Sequence, residues 1–391
     1  MATLSIDESF LRDTLNTLIR TNSINPTLAV DAPGEEETAV YVANTLRQMG
    51  LDVTHYEVQP GRPNVVGRLV GNGNGRSLLL NAHMDTVGVD GMTIPPFDPI
   101  LRDGNVYGRG TQDMKGSLAA MLAAVKALVD ADVKLAGDVL LTAVCDEEYS
   151  SIGSADLVTH PEFHADAAIV TEPTDLAVCR AHRGYVWYNV ETFGRAAHGS
   201  RFQDGIDANM RMGRFLAELD KLEQELRQRP PHPLAGPPSL HAARLQGGSE
   251  ISIYAAHCLC QIERRTMPGE TEAQATAELQ AIVDRLSAAD DTFRATVTPF
   301  FQREPFASEP DSPIAQAVTE AAAQRLGHAP AQVGQPFWTD AALFAAVGMD
   351  AVLIGPIGGG LHSAVEWVDL ASVMDLAAIL AETAVRYCGT N

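Results

Sequence analysis

Leu79-Leu80-Asn81-Ala82-His83-Met84-Asp85-Thr86 is an apolar run that ends in a histidine, with an aspartate two residues further on. The run reads as a buried strand whose end presents an imidazole at the rim of a sheet, with a carboxylate beside it to orient or tune the ring. Four more segments end in side chains that can bind divalent cations: Gln112-Asp113, Asp146-Glu147-Glu148, Thr171-Glu172 and Leu361-His362.

The surrounding chain alternates strands and helices. Strands are expected at 52–58, 64–70, 77–82, 138–144 and 167–171. Helices are expected up to Arg20, at 36–49 with Gly50 as stop signal, and at 116–128. Ser5 and Glu8 have the spacing of a capping box. Gly71-Asn72-Gly73-Asn74-Gly75 joins two strand-like runs and so reads as a hairpin turn, because a dinucleotide loop must open a helix. Near Arg180 the texture changes. A strand at 184–192, a helix at 206–227, a proline-rich loop at 230–238, strands at 242–245 and 257–264, a helix at 272–288 and a strand at 292–298 come next. That order, βαββαβ, is the signature of a ferredoxin-like sandwich. A helix at 314–326, a strand at 351–354 and a helix at 370–387 then resume the first pattern. The expectation is an α/β catalytic domain with a central, mostly parallel sheet, formed by 1–181 and 301–391, with a ferredoxin-like domain inserted at 182–300.

With 391 residues, the chain exceeds what one core usually fills, which also argues for two domains. A formal net charge of −22 speaks against nucleic acid or an anionic membrane as partner. Residues 1–8 carry no basic region followed by an apolar one, so no signal peptide is expected, and the apolar stretch 118–129 is too short to span a bilayer. The five cysteines are scattered and odd in number, as reduced thiols in a cytoplasmic enzyme would be.

Ligands of open α/β sheets gather beyond the carboxyl ends of the strands. His83, Glu147, Glu148 and Glu172 all come directly after apolar strand-like runs. His362 comes after a strand ending near Gly355, through the loop Gly358-Gly359-Gly360. Asp113 lies just before a helix, where backbone N–H groups favour an anion. Two histidines with several carboxylates suit Zn²⁺, with Co²⁺ or Mn²⁺ as alternatives, and two such ions acidify water and polarise a carbonyl. Of the adjacent pair Glu147 and Glu148, one can bind metal while the other serves as general base.

These blocks resemble one family. His83-Met-Asp85, Gly108-Arg-Gly-Thr-Gln-Asp113-Met-Lys-Gly116, Asp146-Glu147-Glu148, Thr171-Glu172-Pro173 and Leu361-His362-Ser363 are similar to the signatures of the acetylornithine deacetylase, succinyl-diaminopimelate desuccinylase and glutamate carboxypeptidase family of dinuclear zinc amidohydrolases. The resemblance implies one metal on His83, Asp113 and Glu172 and a second on Asp113, Glu148 and His362, with Asp113 bridging. It also implies Glu147 as general base and Asp85 as the carboxylate that orients His83.

In the inserted domain, Gly194-Arg-Ala-Ala-His198-Gly-Ser resembles the block whose histidine stabilises the oxyanion, often from the other subunit of a dimer. Arg265-Thr-Met-Pro268-Gly269-Glu270 resembles the block whose arginine grips a substrate carboxylate, with Arg264 as the neighbouring alternative. Ser252 stands where many relatives carry a substrate-contacting asparagine, and Ala255 where they carry proline. Gly355-Pro356-Ile357 lacks the usual glycine after proline. The function implied is metal-dependent hydrolysis of an amide bond in an N-acyl amino acid by a homodimer joined through the inserted domain. A carboxypeptidase or dipeptidase acting on short peptides is the alternative, and a non-catalytic binder of amino-acid derivatives a remote one.

Overall fold

The structure, a computed structural model, describes residues 4–390. The first three residues of the segment read for a signal peptide lie outside the described residues. The chain divides into two compact units: 1–180 with 308–333 and 339–391, and 181–307 with 334–338.

The first unit is built on a mixed sheet. Four parallel strands form its centre, in the order Val139–Val144, Leu78–His83, Ala167–Val170 and Asp350–Leu353. Arg62–Leu69 and then Asp52–Gln59 extend one side in antiparallel pairing, and Cys179 of the strand Val178–His182 pairs antiparallel with Leu353 on the other. The strand Leu78–His83 is buried throughout, so it reads as a continuous apolar run rather than an alternating one. Leu78, Leu80 and Ala82 join a core cluster with the helices Glu8–Arg20, Glu36–Gln48, Gly116–Asp130, Pro313–Leu326 and Leu370–Cys388. On the opposite face Asn81 holds Thr142 and Asp340 through side-chain hydrogen bonds.

Two local expectations change. The segment 71–75 is not a hairpin turn, because Val139–Val144 lies between the two strands it connects. Its backbone instead hydrogen-bonds the carbonyls of Leu135 and Ala136. The first helix is capped by Asp7, whose carboxylate accepts the Phe10 N–H at 3.0 Å, and not by Ser5.

A second, small sheet went unread in the sequence. It runs Gly358–Gly359, Trp367–Asp369, Asn105–Tyr107, Ile100–Arg102, all antiparallel. Its strands are two or three residues long, too short to carry a periodic signal.

The second unit is a four-stranded antiparallel sheet, ordered Ser239–Gly247, His257–Thr266, Gly184–Phe193, Arg294–Arg303. Along Gly184–Phe193 the burial alternates residue by residue. Val186, Tyr188 and Val190 pack with Phe215, Leu219 and Leu226 of the helix Ala208–Gln228 and with Leu279 and Ile282 of Glu272–Ala289. Cys258 and Cys260 share this core, and all five cysteines are buried.

Candidate metal centre and active site

Three neighbouring parallel strands bring their carboxyl ends to one rim. His83 is the last residue of its strand, Val139–Val144 runs on into Asp146-Glu147-Glu148, and Ala167–Val170 into Thr171-Glu172. The other two ligand candidates reach this rim by way of the small sheet. Tyr107 pairs with Trp367, so the loop leading from Tyr107 to Asp113 lies beside the hairpin loop that carries His362. The triple glycine is therefore part strand, not a free linker. Gly358 belongs there because a Cβ would come within 2.6 Å of Trp367 O, and Gly360 takes a φ of +83°.

Asp113 is the centre of the arrangement. Its Oδ1 lies 3.0 Å from His83 Nε2 and its Oδ2 3.2 Å from His362 Nε2, the second contact joining residues 249 apart in sequence. It does not cap the helix Gly116–Asp130: it lies within the turn Thr111–Lys115, and Lys115 is the residue before that helix. Around it, His83 Nε2 is 3.7 Å from Glu172 Oε1 and 4.0 Å from Glu147 Oε2, and His362 Nε2 is 2.9 Å from Glu148 Oε2. Two sets, His83 with Glu147 and Glu172, and His83 with Asp113 and Glu148, each have ligand atoms within 4.8 Å of one another.

Asp85 works in two ways. Its main-chain oxygen is 2.9 Å from His83 Nδ1, which donates to it and so turns Nε2 towards the carboxylates, to which a protonated ring donates and a neutral ring presents its lone pair. Its carboxylate, 3.5 Å from the same nitrogen, accepts the N–H groups of Glu147 and Glu148 at 3.1 and 3.2 Å and the Asn25 amide at 2.8 Å. The pair is thus placed by a turn in which Asp146 has a φ of +66°. Asp146 itself is bound by Arg62, Asn25 and Ser150.

Sequence reading missed Glu366. Buried to 1% exposure, it accepts hydrogen bonds from the N–H groups of Gly110, Gln112 and Asp113 at 2.9, 2.9 and 3.1 Å and from Arg109 at 2.7 Å. Arg109 also donates to the carbonyls of Gly88 and Ser363. One buried ion pair thereby fixes the loops of both Asp113 and His362. The available signal was a lone acid between Val365 and Trp367-Val368. Asp340 was missed too; buried, it accepts from Ser154 Oγ at 2.6 Å and Asn81 Nδ2 at 3.4 Å.

The electrostatics are those of acids crowded out of water. Burial, then the fields of neighbouring carboxylates, pushes Glu147 and Glu172 well above the usual carboxylate range and Glu148 up to about 7. Burial opposes ionisation of Asp113 as well, yet hydrogen bonds from His362 and His83 hold it below its ordinary value. Those to Asp113 and Glu148 lift His362 to about 10. Hydrogen bonds join the imidazoles and carboxylates of the site. Its donor set fits divalent ions: imidazole and carboxylate converge, and Glu148 Oε1 is buried with no hydrogen-bond partner among the described residues.

The remaining sequence candidates lie in the second unit. The His198 backbone bridges Ile253, and Gly199 N–H donates to Ser252 O at 2.7 Å, so the His198 and Ser252 loops adjoin. The His198 ring contacts Ser200 Oγ at 2.8 Å. On the strand His257–Thr266 the register separates the two arginines. Arg264 turns inward to Glu270 and Glu278, and Arg265 sits on the opposite face against Glu263 and the Tyr185 ring.

A mixed α/β sheet with acids and imidazoles gathered at its rim defines a metallohydrolase. The profile of peptidase family M20/M25/M40 matches residues 79–386, and the chain belongs to that family. It is 30% identical to an acetylornithine deacetylase of Myxococcus xanthus, over 97% of this chain and 98% of that one. It is also 30% identical to an N-formyl-4-amino-5-aminomethyl-2-methylpyrimidine deformylase of Bacillus subtilis, over 68% of this chain and 66% of the relative. Among solved structures, a dinuclear metal-binding M20 peptidase of Bacillus subtilis superposes with a TM-score of 0.76 at 16% identity, covering 98% and 99% of the two chains. The chain is a metallohydrolase of the amidohydrolase and peptidase kind, and among the described residues no helix is long and apolar enough to cross a membrane.

Proposed function

We propose that the protein is a metal-dependent deacylase of N-acyl amino acids. The observation that carries the reading is Asp113, whose two carboxylate oxygens each face a different imidazole, so that it could be shared between two ions. His83, Asp113 and Glu172 would hold one ion, and Asp113, Glu148 and His362 the other; Zn²⁺ suits the set best, with Co²⁺ or Mn²⁺ as substitutes. When bound, the ions supply the positive charge that acidifies water and polarises the scissile carbonyl.

The chain's own residues do the rest. Glu147, kept basic by burial and by neighbouring acids, takes a proton from the attacking water and returns it to the leaving amine. Asp85 holds Glu147 by its backbone N–H and the His83 ring by its carbonyl. His198 stabilises the oxyanion, Arg265 pairs with the substrate carboxylate, and Ser252 lines the end of the substrate site. The second unit serves as lid and as the contact of a homodimer in the cytoplasm.

The test is a panel of N-acetyl and N-succinyl amino acids, dipeptides and longer peptides, read by amine release with and without EDTA. Release from the acyl amino acids, lost with EDTA and restored by Zn²⁺ or Co²⁺, supports the reading. Turnover of peptides alone would make the protein a carboxypeptidase or dipeptidase of the same scaffold.

A further inference from the structure

The face of the second unit's sheet that turns away from its helices is not an ordinary solvated surface. Two rows of directly opposed residues cross three strands. Arg265, Tyr185 and Arg303 form one, and Glu263, Trp187 and Phe301 the next. The rings make a continuous platform: Tyr185 to Trp187 5.2 Å, Trp187 to Phe301 5.1 Å and Tyr185 to Phe301 6.0 Å between centroids. Both arginines lie on it, Arg265 5.0 Å above Tyr185 and Arg303 4.6 Å above Phe301. None of these side chains is fully buried.

Glu263 holds the arrangement rigid. One oxygen accepts from Arg265 Nε at 2.6 Å and the other from Trp187 Nε1 at 2.8 Å. The guanidinium is therefore anchored by its inner nitrogen, and its two terminal amino groups have no partner among the described residues. An anchored fork with its outer pair of donors free is suited to bidentate pairing with a carboxylate. Flat rings on the adjoining row offer offset or edge contacts to another ring.

The same rows are unfavourable to a cation. Arg265 and Arg303 flank the platform, and both oxygens of Glu263, the one acid in the two rows, are already engaged. An ammonium side chain would meet like charge and find no free carboxylate there. We infer that this face selects N-acyl amino acids with an aromatic side chain, the carboxylate on Arg265 and the ring on Trp187 and Phe301, in place of the cationic side chain of acetylornithine. The inference rests on the deacylase reading for the reaction, but its binding preference is measurable without turnover.

The experiment uses full-length protein with Glu147→Ala, so that ligands are not consumed. Calorimetry compares N-acetyl-L-phenylalanine with N-acetyl-L-ornithine, and the wild type is assayed on both. The aromatic ligand is expected to bind about tenfold more tightly or better. Adding Trp187→Ala should collapse that ratio towards one, whereas Trp187→Phe, which keeps a ring, should preserve most of it. Ornithine derivative bound as tightly as the aromatic one, binding of neither, or a ratio unmoved by Trp187→Ala in a protein of unchanged circular dichroism overturns the inference. Tight aromatic binding with no hydrolysis by the metal-loaded wild type would leave the inference standing and remove the deacylase reading alone.

Discussion

The two units bury ionisable groups to very different extents. In the first, the rim of the sheet hides His83, Asp85, Asp146, Glu172, Asp340 and Glu366, each at 5% exposure or less. In the second, the core is apolar, built from Tyr188, Phe215, Leu279 and their neighbours, and Arg264, buried beside it, is paired with Glu270 and Glu278. Burying so many ionisable groups is costly unless each is paired or bound to a cation. The first unit thus adds a buried ionisable rim to an apolar core of its own, whereas the second has an apolar core and leaves its other sheet face open.

That contrast can be broken from either side. The largest effect is expected at Glu147. Glu147→Ala should lower kcat by about 10²–10⁴ with metal content unchanged by atomic absorption, and full turnover would remove its role as base. Next is the apolar core of the second unit. Phe215→Ala should destabilise the protein by about 3–5 kcal/mol, read by denaturant unfolding, while the folded protein still takes up metal. Loss of metal from the folded variant would show that the division of labour is wrong.

Glu366→Gln sharpens the first side. It touches neither ligand imidazole, yet it should weaken metal affinity or activity by about 10–100-fold, because the amide replaces an acceptor facing three N–H groups and Arg109. Unchanged affinity by competition with a chelating dye would reduce Glu366 to a packing residue.

The smallest effect is the one read per unit of pH. A cation must displace protons from the groups that bind it. His362, raised to about 10, stays protonated up to that pH, Glu148, raised to about 7, adds a proton below it, and Glu172, raised well above the carboxylate range, adds another. Affinity should therefore rise with pH, by about tenfold per unit for each proton displaced, and more steeply below pH 7 than above it. Calorimetry in buffers of different ionisation enthalpy checks this, and binding without proton release would contradict it.

Much of this was legible in the chain. Leu78–His83, Val139–Val144 and Ala167–Val170 announce themselves because strands buried on both faces must be apolar throughout, and the residues just past the end of such a strand must lie at the rim. The helices of the second unit and its alternating strand Gly184–Phe193 were equally readable, since one apolar stripe or face repeats along each. The small sheet was not, because strands of two or three residues have no period. The segment 71–75 was misread for a related reason: turn residues reveal a change of direction but not which strand the chain will pair with next.

By itself the sequence determined the residue types at the site and the order in which strand ends deliver them. Metal chemistry restricts ligands to a few side chains, and local periodicity places them. Only the tertiary structure decided that Asp113 stands between His83 and His362, that Glu366 fixes both loops, and that Arg265 rather than Arg264 is on the open face with Trp187. Those are contacts between segments far apart in the chain or a question of strand register, and neither leaves a local trace. Their geometry exists only once the sheets have paired.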